Sequence, residues 1–379
     1  MAVSPCTIRS LDADSQNDAA YIISLLRDGI ASPVKAVPNQ RTHAKLNKTS
    51  TMINFAVIGT GWITDSFVKG AHATDAWRLV AVYSRKEDTG RAFGFKYGVT
   101  KIHTSLESLA GDPGVGAVYI ASPNSFHHEQ AKLILGARKH VILEKPTTST
   151  VAEFEDLCST AKANGVHLIE AYRHIQEVNF KVLKSNLDRL GPVYGASLNY
   201  ATYSSRYSNV LNGETPNIFS LEYSGGSLVD IGVYPICMAV ALFGKPRSQT
   251  YKPVIIATGA DGGGVIVLNY DEFAVSINAS KCYLSKAPTE FYGQNGTFVL
   301  NAVTDIDRVA FLDAKSKKAD ELAKPKAALN LQEEAAEFAR IIGEDDREAA
   351  EKLEEISRII INITTDLREQ SGIVFKAER

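Results

Sequence analysis

Cysteine is scarce: Cys6, Cys158, Cys237 and Cys282 are the only four in 379 residues, and none stands in the short pairs that structural zinc and dithiol redox sites need. Spread this widely they read as reduced thiols of a cytoplasmic protein. An excess of either charge is also missing. With 41 Lys and Arg against 43 Asp and Glu the formal net charge is −2, which leaves no footprint for nucleic acid or an anionic membrane surface. No apolar run approaches the roughly 18 residues of a membrane span. The longest is PICMAVALFG. These absences leave a small molecule as the expected partner.

What is present suits a globular enzyme. A chain of 379 residues exceeds the size at which one core keeps growing, so two domains are expected. Residues 1–51 fit neither: AAYIISLLRDG is a possible short helix, and SPVKAVPNQRTHAKLNKTST is polar without apolar period. They read as a poorly ordered extension. Asp12, Asp14 and Asp18 come too early for a mitochondrial presequence, and Met52 offers an alternative start.

From residue 53 the pattern is regular. Apolar runs INFAVIG, RLVAVYS, AVYIAS, HVILEK and VHLIEAY alternate with helical stretches such as FHHEQAKLILGA and VAEFEDLCSTAKA. Strands apolar on both faces and joined by crossover helices build a doubly wound parallel sheet, so 52–173 reads as an α/β dinucleotide-binding domain of Rossmann type. After it come VYGASLNYATY, KPVIIATG, GVIVLNY, FAVSINAS and TFVLNAV, separated by turns such as GADGGG, YDE and GQNG. Short spacers join antiparallel neighbours, so 174–379 is expected to be an α+β domain on a mainly antiparallel, open-faced sheet. Amphipathic helices close the chain.

VIGTGWIT puts Gly59 and Gly61 directly after the first strand, with Trp62 and Ile63 opening a helix and Thr64 in the third fingerprint position. Glycines there let backbone amides approach a pyrophosphate at a helix N-terminus. At the end of strand two, where an NAD site carries an acid for the ribose, stand Ser84, Arg85 and Lys86. A hydroxyl and two cations suit a 2′-phosphate, so NADP is expected over NAD.

HVILEKPTTST ends a buried strand in Glu144, Lys145 and Pro146. The residue before a proline is held extended, which delivers the Lys145 ammonium outside the carboxyl edge of the sheet, where such sheets bind ligands. LEKPTTST, with IGTGWI, ASPNSFHHEQA and GGSLVDIGVYPI, resembles the Gfo/Idh/MocA oxidoreductases, which use NAD(P) on sugars, polyols, cyclitols and dihydrodiols. The resemblance covers about residues 53–379. It implies that Lys145 is catalytic, that its bond to Pro146 is often cis, that Asn124 and His127 line the nicotinamide ribose, and that Glu144 lies near the ring. Tyr234 stands where many members have histidine, as in the branch of glucose-fructose oxidoreductase and dimeric dihydrodiol dehydrogenase, which points to aldoses and diols. Homodimers or larger homo-oligomers through the open sheet face are implied as well.

The chemistry follows from the residue types. Hydride transfer at a carbinol needs a group that exchanges the hydroxyl proton. Asp230 and Tyr234, four apart, share one face of a helix expected to start near Ser227, although Pro235 inside it is awkward. In this reading Tyr234 exchanges the proton, Lys145 lowers its pKa and polarises the substrate oxygen, and Asp230 orients the lysine or the substrate. Arg173 and His174 follow the last strand at the domain junction, within reach of nicotinamide or substrate, or in a structural ion pair. Tyr203, Arg206 and Asn217 sit in a long polar loop of the kind that lines pockets. No metal is expected, since the adjacent His127 and His128 point apart on a helix. The resulting expectation is an NADP-dependent oxidoreductase acting on a CH–OH carbon of a sugar, polyol or vicinal dihydrodiol. A non-catalytic NADP-sensing regulator is the alternative.

Overall fold

The computed structural model describes residues 52–379, so the expectations for 1–51 lie outside the described residues. Six strands, β1 (Ile53–Ile58), β2 (Trp77–Tyr83), β3 (Ile102–His103), β4 (Ala117–Ile120), β5 (His140–Leu143) and β6 (Leu168–Glu170), form one sheet in the order β3-β2-β1-β4-β5-β6. Every pair in it is parallel. The crossovers are helices α1 (Trp62–His72), α2 (Glu87–Phe95), α3 (Leu106–Ala110), α4 (His127–Gly136) and α5 (Val151–Asn164). β4 is buried along its whole length because helices cover both faces of the sheet. Strand order reverses between β1 and β4, which opens a crevice at their carboxyl ends. α5 starts sharply: the Thr150 hydroxyl accepts from the Glu153 amide, and Glu153 accepts from the Thr150 amide in return.

The second lobe follows with α6 (Val178–Ser185), β7 (Val193–Ala201), α7 (Tyr207–Leu211), a π-helical turn over Leu228–Gly232 and α8 (Val233–Phe243). Then come β8 (Ser248–Ile255), β9 (Asp261–Asn269), β10 (Ala274–Ser280), β11 (Thr289–Gly293), β12 (Gly296–Leu300), β13 (Val309–Asp313) and β14 (Ala319–Glu321). Their order is β14-β13-β12-β11-β7-β10-β9-β8, antiparallel throughout except for the central β7–β10 pair. Two more helices, α9 (Gln332–Glu344) and α10 (Arg347–Gln370), complete the chain. Met238 and Val240 of α8 and Ile360 and Leu367 of α10 bury one sheet face against Ile266, Leu268, Ile277, Phe291 and Phe298. On the opposite face Val254, Val265 and Leu312 are exposed, so the sheet is open on that side.

Two expectations are corrected here. Against the expectation of no span-length apolar segment, Leu221–Phe243 is long and apolar enough to cross a membrane by length and composition. Most of it is buried in the second-lobe core, which accounts for its composition. GADGGG, expected as a turn, lies mostly inside β9, and the turn falls at residues 257–260 instead. The glycines serve close packing: a Cβ on Gly264 would lie 2.4 Å from the Lys252 carbonyl oxygen, and one on Gly263 2.5 Å from the Ser280 hydroxyl.

α9 returns to the first lobe, so a lobe drawn as 52–173 lacks one of its own helices. Leu331, Ala335, Phe338 and Ile341 pack against Phe55, Phe67 and Trp77, and the Trp77 indole donates to the Ala335 carbonyl at 2.8 Å. Gly70 of α1 permits the approach, since a Cβ there would lie 2.9 Å from the Gln332 amide nitrogen. Because Phe338 is fully buried, Phe338→Ala should destabilise the protein by ~3–5 kcal/mol in urea unfolding. A loss below ~1 kcal/mol would mean that α9 contributes little to the first core.

Candidate active site

At the carboxyl edge of the first sheet, β1 runs into Gly59, whose φ of +104° and the 2.5 Å that would separate its Cβ from the Ala121 carbonyl oxygen admit only glycine. Gly61 precedes α1 without a side-chain cap, and a Cβ built on it would have nothing within 4 Å. A helix N-terminus thus faces open space, the arrangement that binds phosphate. Trp62 beside it is 76% exposed, while Ile63 packs on the first core. Ser84 is half-buried, its hydroxyl accepting from the Lys86 amide at 3.3 Å. Arg85 and Lys86 are exposed, and neither side chain is ion-paired among the described residues. Open amides and two free cations fit a dinucleotide carrying a 2′-phosphate.

The second cluster joins the lobes. The Lys145–Pro146 bond is cis, and the Lys145 ammonium donates to the Asp230 carbonyl at 2.7 Å and to its Oδ1 at 2.8 Å. It also lies 5.1 Å from the centroid of the Tyr234 ring. The local backbone explains how Asp230 can offer both oxygens. In place of the expected α-helix from Ser227, residues 228–232 form a π turn. In that register the carbonyl of residue 230 looks to the amide of residue 235, and Pro235 has none, so the carbonyl is free to take the Lys145 ammonium. Asp261 steadies the same turn by accepting from the Leu228 amide at 2.6 Å. Gly226 has to be glycine there, because a Cβ would lie 2.2 Å from the Asp261 carboxylate.

The charge state of Tyr234 differs from expectation. Burial pushes its phenol up and outweighs the downward pull of Lys145, whose ammonium makes no hydrogen bond to the hydroxyl. The phenol is therefore protonated near neutrality. Glu144 is 9% exposed, raised by burial against the pull of Lys145, and accepts from the Tyr119 hydroxyl at 2.5 Å.

The remaining predicted residues divide. Asn124 bridges the lobes by donating to the Ser224 carbonyl at 3.0 Å. His127 is 1% exposed, with its ring nitrogens 2.9 Å from the Pro146 and Ser122 carbonyl oxygens, and because burial keeps the ring neutral its single N–H can donate to only one of them. Arg173 pairs with Asp305 at 2.6 Å and donates to Asn330 at 3.1 Å. It also lines a crevice of about 200 Å³ with Lys326 and Glu334. His174 is corrected as a substrate contact: it is fully buried, edge-on to Tyr234 at 5.1 Å, with both ring nitrogens unpartnered. Arg206 is exposed at the start of α7, and no hydrogen bond or ion pair joins its side chain to the cluster. Tyr203 packs on Tyr207 at 5.7 Å, and Asn217 is exposed. Among the described residues no group of three His, Cys, Asp or Glu could hold a metal.

Sequence reasoning missed Lys281, whose ammonium meets the second Asp230 oxygen, and Glu334, a buried carboxylate with no hydrogen-bond partner. Lys281 had a signal. A lysine ending the apolar strand FAVSINAS follows the same grammar as Lys145 after HVILE.

Comparison with known proteins adds three findings. Residues 53–172 match the oxidoreductase family with an NAD-binding Rossmann fold. The chain is 39% identical over 328 residues to scyllo-inositol 2-dehydrogenase (NADP(+)) IolU of Bacillus subtilis, spanning 86% of this chain and 100% of that one. It is 38% identical to the uncharacterized oxidoreductase YgjR of Escherichia coli, spanning 86% and 99%. The fold also superposes, with a TM-score of 0.71 at 21% identity and coverage of 83% and 97%, on KijD10, a 3-ketoreductase from Actinomadura kijaniata solved with NADP and TDP-benzene.

Burial, then Arg173, lowers His174 to about 3. An unfolded histidine binds its proton near ~6.5, so the folded state is favoured fully above that pH and loses this advantage as pH falls toward the folded value. Between pH 7.5 and 5 the loss should be ~2 kcal/mol. His174→Leu should flatten the stability-versus-pH curve by that amount in urea titrations; an unchanged slope would place the shift elsewhere.

Proposed function

The chain belongs to the Gfo/Idh/MocA family of oxidoreductases, and from that premise we propose that it transfers a hydride between NADP and a CH–OH carbon of a sugar, polyol or vicinal dihydrodiol. A cyclitol is the first choice, on the similarity to the inositol dehydrogenase. The observation that carries this reading is the meeting of Lys145 from one lobe with Asp230 and Tyr234 from the other, at the sheet edge that also carries an open helix N-terminus.

When bound, NADP supplies the hydride acceptor or donor. The amides at Gly61 and the start of α1 hold its pyrophosphate, and Ser84, Arg85 and Lys86 hold the 2′-phosphate. Asp230 aims the Lys145 ammonium, which polarises the substrate oxygen and favours the charge that develops there as the C–H bond breaks or forms. Tyr234, kept protonated by burial, donates a hydrogen bond to that oxygen and holds it beside Lys145. Glu144 and Arg173 set the field around the site through their charges. The exposed Val254, Val265 and Leu312 on the open sheet face support a homodimer formed there.

Lys145→Ala should lower turnover of scyllo-inositol with NADP by ~10²-fold or more while leaving NADP affinity within about twofold. Undiminished turnover would remove Lys145 from the mechanism. NADP bound tightly with no turnover of cyclitols, aldoses or diols by the unaltered protein would instead favour the sensor reading. Arg85→Ala should weaken NADP by about tenfold or more and NAD hardly at all in fluorescence titrations. Equal losses for the two would overturn the 2′-phosphate assignment.

A further inference from the structure

Asp230 offers two carboxylate oxygens, and an amine from a different lobe holds each. Oδ1 takes Lys145 of the first lobe at 2.8 Å, and Oδ2 takes Lys281, which directly follows β10 in the second. Lys281 is 6% exposed, and its ammonium lies 5.6 Å from the centroid of the Phe219 ring. Its backbone is fixed on both sides, donating to the Gly262 carbonyl at 2.8 Å and accepting from the Ser204 amide at 2.9 Å. Asp230 is its one ion-pair partner among the described residues.

Two ammonium groups on a single carboxylate in an occluded site carry one positive charge too many. The charged groups facing Lys281 are Asp230 on the π turn and Lys145 on the EKP strand, while Cys282 and Tyr283 neighbour it on its own segment. Burial, then Lys145, draws Lys281 down to about 7, with Asp230 pulling the other way. Tyr234, pushed up by burial, has no comparable readiness to give up its proton near neutrality. The oxidative direction therefore needs a different proton sink.

Resting on the oxidoreductase reading above, we propose that Lys281 is the proton acceptor of the site, reached from the substrate hydroxyl through Lys145 and Asp230. The Lys145 ammonium first gives a proton to Asp230, whose carboxyl turns about its last bond and hands it to the neutral Lys281 amine. The Lys145 amine so freed takes the substrate proton as the O–H bond breaks, and the C–H bond breaks with its electron pair leaving for the nicotinamide. A carbonyl product, reduced cofactor and one protonated Lys281 result. In reduction the same proton returns by the reverse route.

The test uses the full chain, NADP and scyllo-inositol, with Lys281→Met and Lys281→Arg, neither of which accepts a proton in the working range. In the unaltered protein kcat/KM should rise with pH through an ionisation near 7. Both variants should lose about tenfold or more at alkaline pH and lack that rising limb, while NADP affinity stays within about twofold. A limb retained at the same pH in both variants overturns the proposal. Nζ titration in 15N-lysine-labelled protein with NADP bound decides the matter independently of turnover. A resonance absent from Lys281→Met that titrates near 7 supports it, and one that remains an ammonium to alkaline pH overturns it. An unaltered protein inactive on every polyol, sugar and diol would sink the activity reading alone, with the titration still judging Lys281.

Discussion

The ion pair between Lys145 and Asp230 is the constraint around which both lobes are built. An ammonium with 12% of its side chain exposed needs a counter-charge, and the first lobe does not supply a free one: Glu144 beside it is turned to the Tyr119 hydroxyl. The partner comes from the second lobe, so the orientation of the lobes and the charge state of the site rest on the same contact. The surrounding bonds fix that orientation. Ser224 ties to Asn124 by its carbonyl and to Ser149 by its hydroxyl, at 3.0 and 2.6 Å. Arg368, 2% exposed on α10, pairs with Glu378 at 2.7 Å within the same seam.

Backbone irregularity supplies what side chains alone could not. A regular helix from Ser227 would spend the Asp230 carbonyl inside the helix. The π turn together with Pro235 leaves it available, so one residue presents a carbonyl and a carboxylate to a single ammonium. The price is a turn that needs outside support, which Asp261 gives through the Leu228 amide. In the low-dielectric interior these few charges act strongly on one another, and for that reason Lys281 and Tyr234 depart from their ordinary pKa values in the same direction relative to charge: burial disfavours both ionised forms.

Much of the frame was legible in the chain. Alternating apolar runs and helical stretches gave the doubly wound sheet, the glycines after β1 gave its ligand edge, and LEKP with GGSLVDIGVYPI gave the two segments that meet. The misreadings have one cause. His127 and His174 were placed correctly on their elements, yet what each ring faces depends on turns and lobes distant in sequence. Glu334 sits in QEEAAEF, where three acids look like a solvated face, and only the return of α9 to the first sheet buries it. GADGGG reads as a turn by composition, but its glycines are demanded by Lys252 and Ser280 on neighbouring strands.

By itself the sequence determined the periodicities, the positions of strand ends and the residue types delivered there, because these depend on local stereochemistry and the burial of nearby faces. The tertiary structure decided which side chains meet and in which protonation state. Lys145 finds Asp230 across 85 positions of chain, and Lys281 joins them from a third segment. Proton affinities follow from that meeting, since desolvation and through-space charge depend on distances that no local pattern encodes.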